Sequence, residues 1–290
     1  MPVRSEGRPL PLPTIQDGVA RSIGLTYAAP VGFRPLQLDY FRPEGEGPFP
    51  VVIQIHGGAF RAGDRANLPY ALTDLFTWLP AKGYAVASVS YRLTGEAHFP
   101  TQVHDVAAAI RWLRAHAAEL HLDPERVATW GQSAGAYLAV MAGLTPRHPD
   151  WVGQEGDQPI QAVIDWYGPT DFSQMNAQNP PHGVQDHDAP DSSESELMGG
   201  PVQELAVEVQ RANPCRYARA DSPPVLIQHG THDQLIPFGQ AELLRDVLEE
   251  AGASVEFHAI PDALHGFNGY PDPQSLRRVA LDFLNAHLRD

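Results

Sequence analysis

Short apolar runs alternate with amphipathic stretches from residue 51 to the C-terminus, and that alternation leaves few architectures open. Residues 51–55, 84–89, 126–130, 160–166, 225–228 and 255–260 read as strands. Between them lie helical patterns. After Pro100, the residues Val103, Val106, Ala107, Ile110, Leu113 and Ala117 fall at three- and four-residue spacing. Residues 134–144 form an Ala-rich helical stretch, 238–251 a helix that stops at Gly252, and 274–288 a last helix. Strand–helix alternation of this kind predicts an α/β domain with a mostly parallel sheet of about eight strands and helices on both faces.

Two regions stand outside the alternation. The first twenty residues, with prolines at 2, 9, 11 and 13, read as an extended N-terminal arm, leaving 21–290 as the domain proper. At 34–41, Leu36, Leu38 and Tyr40 share one face, as in a half-buried strand. Residues 171–215 carry Asn179-Pro180-Pro181 and the acidic run from Asp186 to Glu194. That stretch is too long for a routine connection and predicts a small cap or lid.

Composition narrows the classes of function. With 43% hydrophobic residues in 290, the chain can bury a sizeable core. A formal net charge of −15 argues against nucleic acid and against an anionic membrane surface as partners. A small-molecule substrate is therefore expected, with a monomer and a homodimer both compatible. The single cysteine, Cys215, allows no intrachain disulfide. The opening Met1-Pro2-Val3-Arg4-Ser5-Glu6 has no apolar signal region, and no stretch is apolar enough to span a bilayer, so the default expectation is a cytoplasmic protein.

The chemistry gathers after strands. Gly131-Gln132-Ser133-Ala134-Gly135 fits G-x-S-x-G, in which a nucleophilic serine sits on a sharp strand-to-helix turn that only small neighbours permit. His56-Gly57-Gly58-Ala59-Phe60 follows another strand, and its glycines can aim bare N–H groups at a developing oxyanion. The expected donors are Gly57, Gly58 and Ala134, with His56 bracing the turn. A general base and its acid should follow the serine in chain order. His265 lies in the loop after 255–260 and Asp233 in the loop after 225–228, both on the carboxyl edge of the sheet. Asp262 is the competing acid, but it sits in the same short loop as His265. His229 and His232 read as structural. His182 and His187, beside Asp186 and Asp188, could bind a metal, but without a fixed spacing a solvated acidic loop is the better reading. No metal and no organic cofactor is expected.

These motifs, together with Gly63-Asp64-Arg65, residues 91–100, and Trp166-Tyr167-Gly168-Pro169-Thr170-Asp171, resemble the bacterial feruloyl- and acetyl-esterase-like branch of the α/β-hydrolases, within the hormone-sensitive-lipase-like group. The resemblance runs from about residue 35 to the C-terminus and implies a serine carboxylesterase of the α/β-hydrolase fold acting on short-chain or small acyl esters. Members often carry a third Gly where this chain has Ala59 and a Trp where it has Phe60, a change at the acyl pocket. The same triad would also serve an amide hydrolase, such as an arylformamidase or small peptidase. A non-catalytic binding protein on this scaffold is the third reading.

Overall fold

The computed structural model describes residues 10–66, 68–145 and 159–289. In chain order the elements are β1 (Thr14–Gln16), β2 (Val19–Ala28), β3 (Leu36–Pro43), β4 (Phe49–Ile55), α1 (Leu75–Ala81), β5 (Ala85–Val89), α2 (Thr101–Ala115), α3 (Ala117–Leu120), β6 (Leu122–Gln132), α4 (Ala134–Leu144), β7 (Ala162–Trp166), α5 (Ser193–Met198), α6 (Ala206–Ala212), β8 (Val225–Gly230), α7 (Gly239–Glu250), β9 (Val255–Ile260) and α8 (Pro273–Leu288). Among the described residues they build one nine-stranded sheet in the order β1-β2-β3-β5-β4-β6-β7-β8-β9. From β5 to β9 neighbouring strands are parallel, while β1, β2, β3 and β5 pair antiparallel.

Strand β4 shows why the sheet sits between two helical layers. Val51, Ile53 and Ile55 point into one apolar cluster with Val103 and Val106 of α2 and Leu138 and Met141 of α4. Val52, on the opposite face, joins Leu75 and Leu79 of α1 and Phe283 and Leu284 of α8. Because side chains alternate across a strand, a strand buried on both faces must be apolar almost throughout. The Ala-rich α4 is buried nearly all round, and small side chains let it lie close against the sheet. A β-carbon on Gly143 would stand 2.4 Å from Val163 Cγ2.

The amino-terminal region differs from an extended arm. Residues 1–9 of that expected segment lie outside the described residues. From Thr14 the chain forms a hairpin, β1 paired with β2 around Asp17-Gly18, both at positive φ. Asp-Gly flanked by strand residues is a strong hairpin signal. The prolines before it and the sparse apolar content of β1 and of Arg21-Ser22-Ile23-Gly24 obscure that signal.

Strand order reverses at β4, with β5 on one side and β6 on the other. Loops leaving β4 and β6 therefore diverge at the carboxyl edge and open a crevice there, the usual ligand position in such sheets.

Candidate active site

Strand β6 delivers Ser133 at the mouth of α4 with φ 52° and ψ −123°, outside the comfortable regions for a residue with a side chain. The turn is held by the Ser133 N–H, which donates to the Trp166 carbonyl at 2.9 Å. Neighbouring glycines are required by contact rather than by φ. A β-carbon on Gly131 would stand 2.0 Å from the Gly135 carbonyl oxygen, and one on Gly135 would stand 2.0 Å from that of Ile55. The elbow is thus pressed directly onto the end of β4.

That strand end carries His56-Gly57-Gly58. A β-carbon on Gly57 would lie 2.8 Å from the Gln132 carbonyl oxygen and 3.3 Å from Ser133 Cβ, so the loop backbone passes directly beside the serine. Gly58, at φ 114°, has no room for a side chain against the Ala62 carbonyl. Ala59 and Phe60 also adopt positive φ, at 54° and 61°. Phe60 is buried and stands edge-on to Tyr137 at 5.6 Å. His56 does brace the turn. Its Nδ1–H donates to the Gly57 carbonyl at 2.7 Å, and its ring stacks on Tyr91 at 4.3 Å. Burial pushes the His56 imidazole down to about 4.

Loops after β8 and β9 bring Asp233 and His265 together. His265 Nδ1–H donates to Asp233 Oδ2 at 2.7 Å, which leaves Nε2 as the proton-accepting nitrogen. The Leu235 and Ile236 N–H groups donate to Asp233 Oδ1 at 2.8 and 2.9 Å, and His229 Nε2 lies 3.3 Å from Oδ2. Burial alone would raise the Asp233 carboxyl, but hydrogen bonds from His229 and His265 outweigh it and hold the group well below the usual carboxylate range. Asp262 goes elsewhere: it is exposed and lies 3.3 Å from His232 Nδ1.

Ser133, His265, Gly57, Gly58 and Ala134 all line one cavity of about 510 Å³. Tyr167, at φ 48°, also lines it and stands edge-on to the His265 ring at 4.8 Å.

The segment 171–215 contributes to the same cavity through Gln185, Ser193 and Glu194. Here the expected solvated acidic loop needs correction. His187 is fully buried, as are Ser192, Ser193, Glu194 and Ser195, while His182 is exposed. The reason is that α5 caps itself, with Ser192 Oγ accepting from the Ser195 N–H, and then lodges against the domain. Among the described residues, no group of three His, Cys, Asp or Glu side chains has the arrangement of a metal site. Sequence reasoning did not assign Gln185 or Tyr167 to the site, and it missed Ser193 and Glu194 because burial of a short polar helix leaves no periodic apolar trace.

Residues 38–248 match the BD-FAE family. The chain belongs to it. The domain is an α/β-hydrolase, as comparison with solved structures shows: a truncated form of a carbohydrate esterase from gut microbiota superposes with a TM-score of 0.79 at 26% identity, covering 94% of this chain and 99% of that one. The chain is also similar to two Mycobacterium tuberculosis proteins. Carboxylesterase NlhH is 30% identical over 245 residues, covering 79% of this chain and 69% of NlhH. Probable carboxylic ester hydrolase LipM is 29% identical over 235 residues, covering 77% of this chain and 50% of LipM. The BD-FAE chain thus spans about half the length of LipM.

Proposed function

We propose that this BD-FAE protein is a serine carboxylesterase that hydrolyses short-chain or small acyl esters through an acyl-enzyme intermediate. The observation that carries the reading is the His265–Asp233 hydrogen bond on a cavity shared with Ser133 at a strained elbow. Its relatives named as carboxylic ester hydrolases support the ester over the amide.

In the first half-reaction, Ser133 Oγ attacks the ester carbonyl carbon while His265 Nε2 takes its proton. Asp233, ionised and held by two backbone N–H groups, fixes the imidazole tautomer and offsets the charge that forms on the ring. Backbone N–H groups of Gly57, Gly58 and Ala134 stabilise the tetrahedral oxyanion, at about 3 kcal/mol per donor in such sites. His265 then returns the proton to the departing alkoxide, and the alcohol leaves. In the second half, water gives a proton to His265, attacks the acyl-enzyme, and releases the carboxylic acid with Ser133 restored. The cavity, about 510 Å³ with Phe60 in its wall, has ample room for a small acyl ester. The same reading takes a small-molecule ester as partner and places the enzyme in the cytoplasm. The net charge of −15 disfavours nucleic acid and an anionic membrane surface as partners, and no helix among the described residues is long and apolar enough to cross a membrane.

Ser133→Ala tests the assignment. It should lower p-nitrophenyl acetate turnover by roughly 10⁴-fold or more and abolish labelling by a fluorophosphonate. Near-normal turnover in the variant would remove Ser133 as nucleophile.

A further inference from the structure

Asp233 has one contact that the acyl-transfer steps do not call on. His229 sits at the carboxyl end of β8, fully buried, with its ring edge-on to Phe238 at 5.8 Å. Its Nε2 lies 3.1 Å from the Ile236 carbonyl oxygen and 3.3 Å from Asp233 Oδ2. With Asp233 ionised, both neighbours only accept, so Nε2 must carry the proton and donate. Nδ1, on the other side of the ring, makes no hydrogen bond among the described residues, as befits the bare nitrogen of that tautomer.

That single N–H spans the turn that carries the acid. The Ile236 N–H donates to Asp233 Oδ1 at 2.9 Å, while the Ile236 carbonyl faces His229. Asp233 Oδ1 thus holds the Leu235 and Ile236 N–H groups, and Oδ2 holds His265 Nδ1–H at 2.7 Å with the His229 N–H beside it. The backbone of His229 is fixed in the β8–β9 ladder opposite Ala259. It is therefore a rigid post next to an acid and a base that both ride on loops.

From this arrangement we infer that His229 is a positioning residue of the triad: its Nε2–H aims Asp233 Oδ2 at His265 and shares that oxygen's charge. The inference rests on Ser133 being an esterase nucleophile. A carboxylate oxygen with a second donor holds an imidazolium less tightly, so His265 keeps its proton-accepting form to lower pH. Filling space would ask only for a side chain of that volume, whereas acting through Asp233 asks for an N–H at the place of Nε2. The other titratable groups facing this pair come from β7 and α4. Tyr167 after β7 stands edge-on to His265, Asp165 of β7 acts on His229 through its charge, and Ser133 shares the cavity. Burial pushes the Asp165 carboxyl up to about 6. Gln and Leu at 229 both remove the ring from beside Asp165, so a difference between those variants does not come from Asp165.

The acid limb of kcat/KM for p-nitrophenyl acetate reports the protonation of the free enzyme's base. In His229→Leu, which keeps apolar bulk but no donor, that limb should move up by about half a pH unit or more, with kcat down about tenfold and KM little changed. In His229→Gln, whose amide N–H can reach the place of Nε2, the limb should return to its wild-type position and most of kcat should be recovered. A slower His229→Leu with an unmoved limb marks packing alone and overturns the role. A His229→Gln limb displaced as far as that of His229→Leu overturns it too. Nitrogen NMR of wild-type protein with isotope-labelled histidine needs no variant. His229 protonated at Nε2 upholds the role even if His229→Leu does not fold, and His229 protonated at Nδ1 overturns it. A wild type that neither hydrolyses the ester nor labels with a fluorophosphonate overturns the esterase reading, and the role of His229 with it. An active wild type with any of the contrary results overturns the role of His229 alone.

Discussion

His265 and Asp233 meet across two successive strand-to-helix loops, with Nδ1 and Oδ2 2.7 Å apart although 32 residues separate them in sequence. Parallel strands β8 and β9 make this possible: both end on the same edge of the sheet, one strand spacing apart. Asp262, three residues before His265, has turned outward to His232 and is 89% exposed. Asp233→Asn should therefore lower kcat by roughly 10³- to 10⁴-fold while the fold persists, since the asparagine amide favours the wrong imidazole tautomer. Asp262→Asn should stay within about twofold, as expected for an exposed pair of little consequence. Steady-state rates on one ester compare the two variants, and the reverse ranking would move the acid to Asp262.

The backbone at Ser133 offers a second test. A φ of 52° with ψ −123° costs a residue with a side chain of order 1–3 kcal/mol and costs glycine little. Ser133→Gly should raise unfolding free energy by about 1 kcal/mol over Ser133→Ala, both being inactive. Denaturant melts of the two variants give the difference directly.

Gly135 is pressed against Ile55, where a β-carbon would stand 2.0 Å from the carbonyl oxygen and 2.5 Å from that of His56. Both obstacles are backbone, so neither can rotate away. Gly135→Ala should push α4 off the end of β4, destabilise the domain by about 3 kcal/mol or more, and cut activity by moving the Gly57-Gly58 donors relative to Ser133. Thermal melts with ester kinetics would show both effects. Unchanged activity would mean that the loop and elbow are not coupled.

Burial sets the acid limit through His56. Its imidazole is pushed down to about 4 in the folded protein from an ordinary value of 6.5. The unfolded chain thus binds the proton first, and stability present above about pH 6.5 is lost as pH falls toward 4, by about 3 kcal/mol at 1.4 kcal/mol per pH unit. Asn has no such proton to gain, so His56→Asn should start from a lower stability at pH 7.5 but fall less steeply between pH 6.5 and 4. Denaturant midpoints across that range would show parallel curves if His56 is not the group responsible.

Much of this could be read without coordinates because it is written in local pattern. The elbow at 131–135, the glycines at 57 and 58, and the strand endings before Asp233 and His265 each follow from residues within about ten positions. The hairpin at Asp17-Gly18 had a local signal too, overlain by prolines. The segment 171–215 was different. The run from Asp186 to Glu194 reads as solvent-facing, yet His187 and Glu194 are buried, because α5 is pinned by Arg61, His98 and Phe99 from regions about a hundred residues away.

Sequence alone determined the α/β order and the candidates Ser133, His265 and an acid at Asp233 or Asp262, because strand and helix periods and tight-turn requirements are local constraints on residue type. Only the tertiary structure decided that Asp233 rather than Asp262 faces His265, and that the polar helix α5 buries Glu194 against His187 beside the cavity. Those outcomes depend on which distant segments pack together, and side-chain burial is fixed by that packing, not by the polarity of the residues themselves.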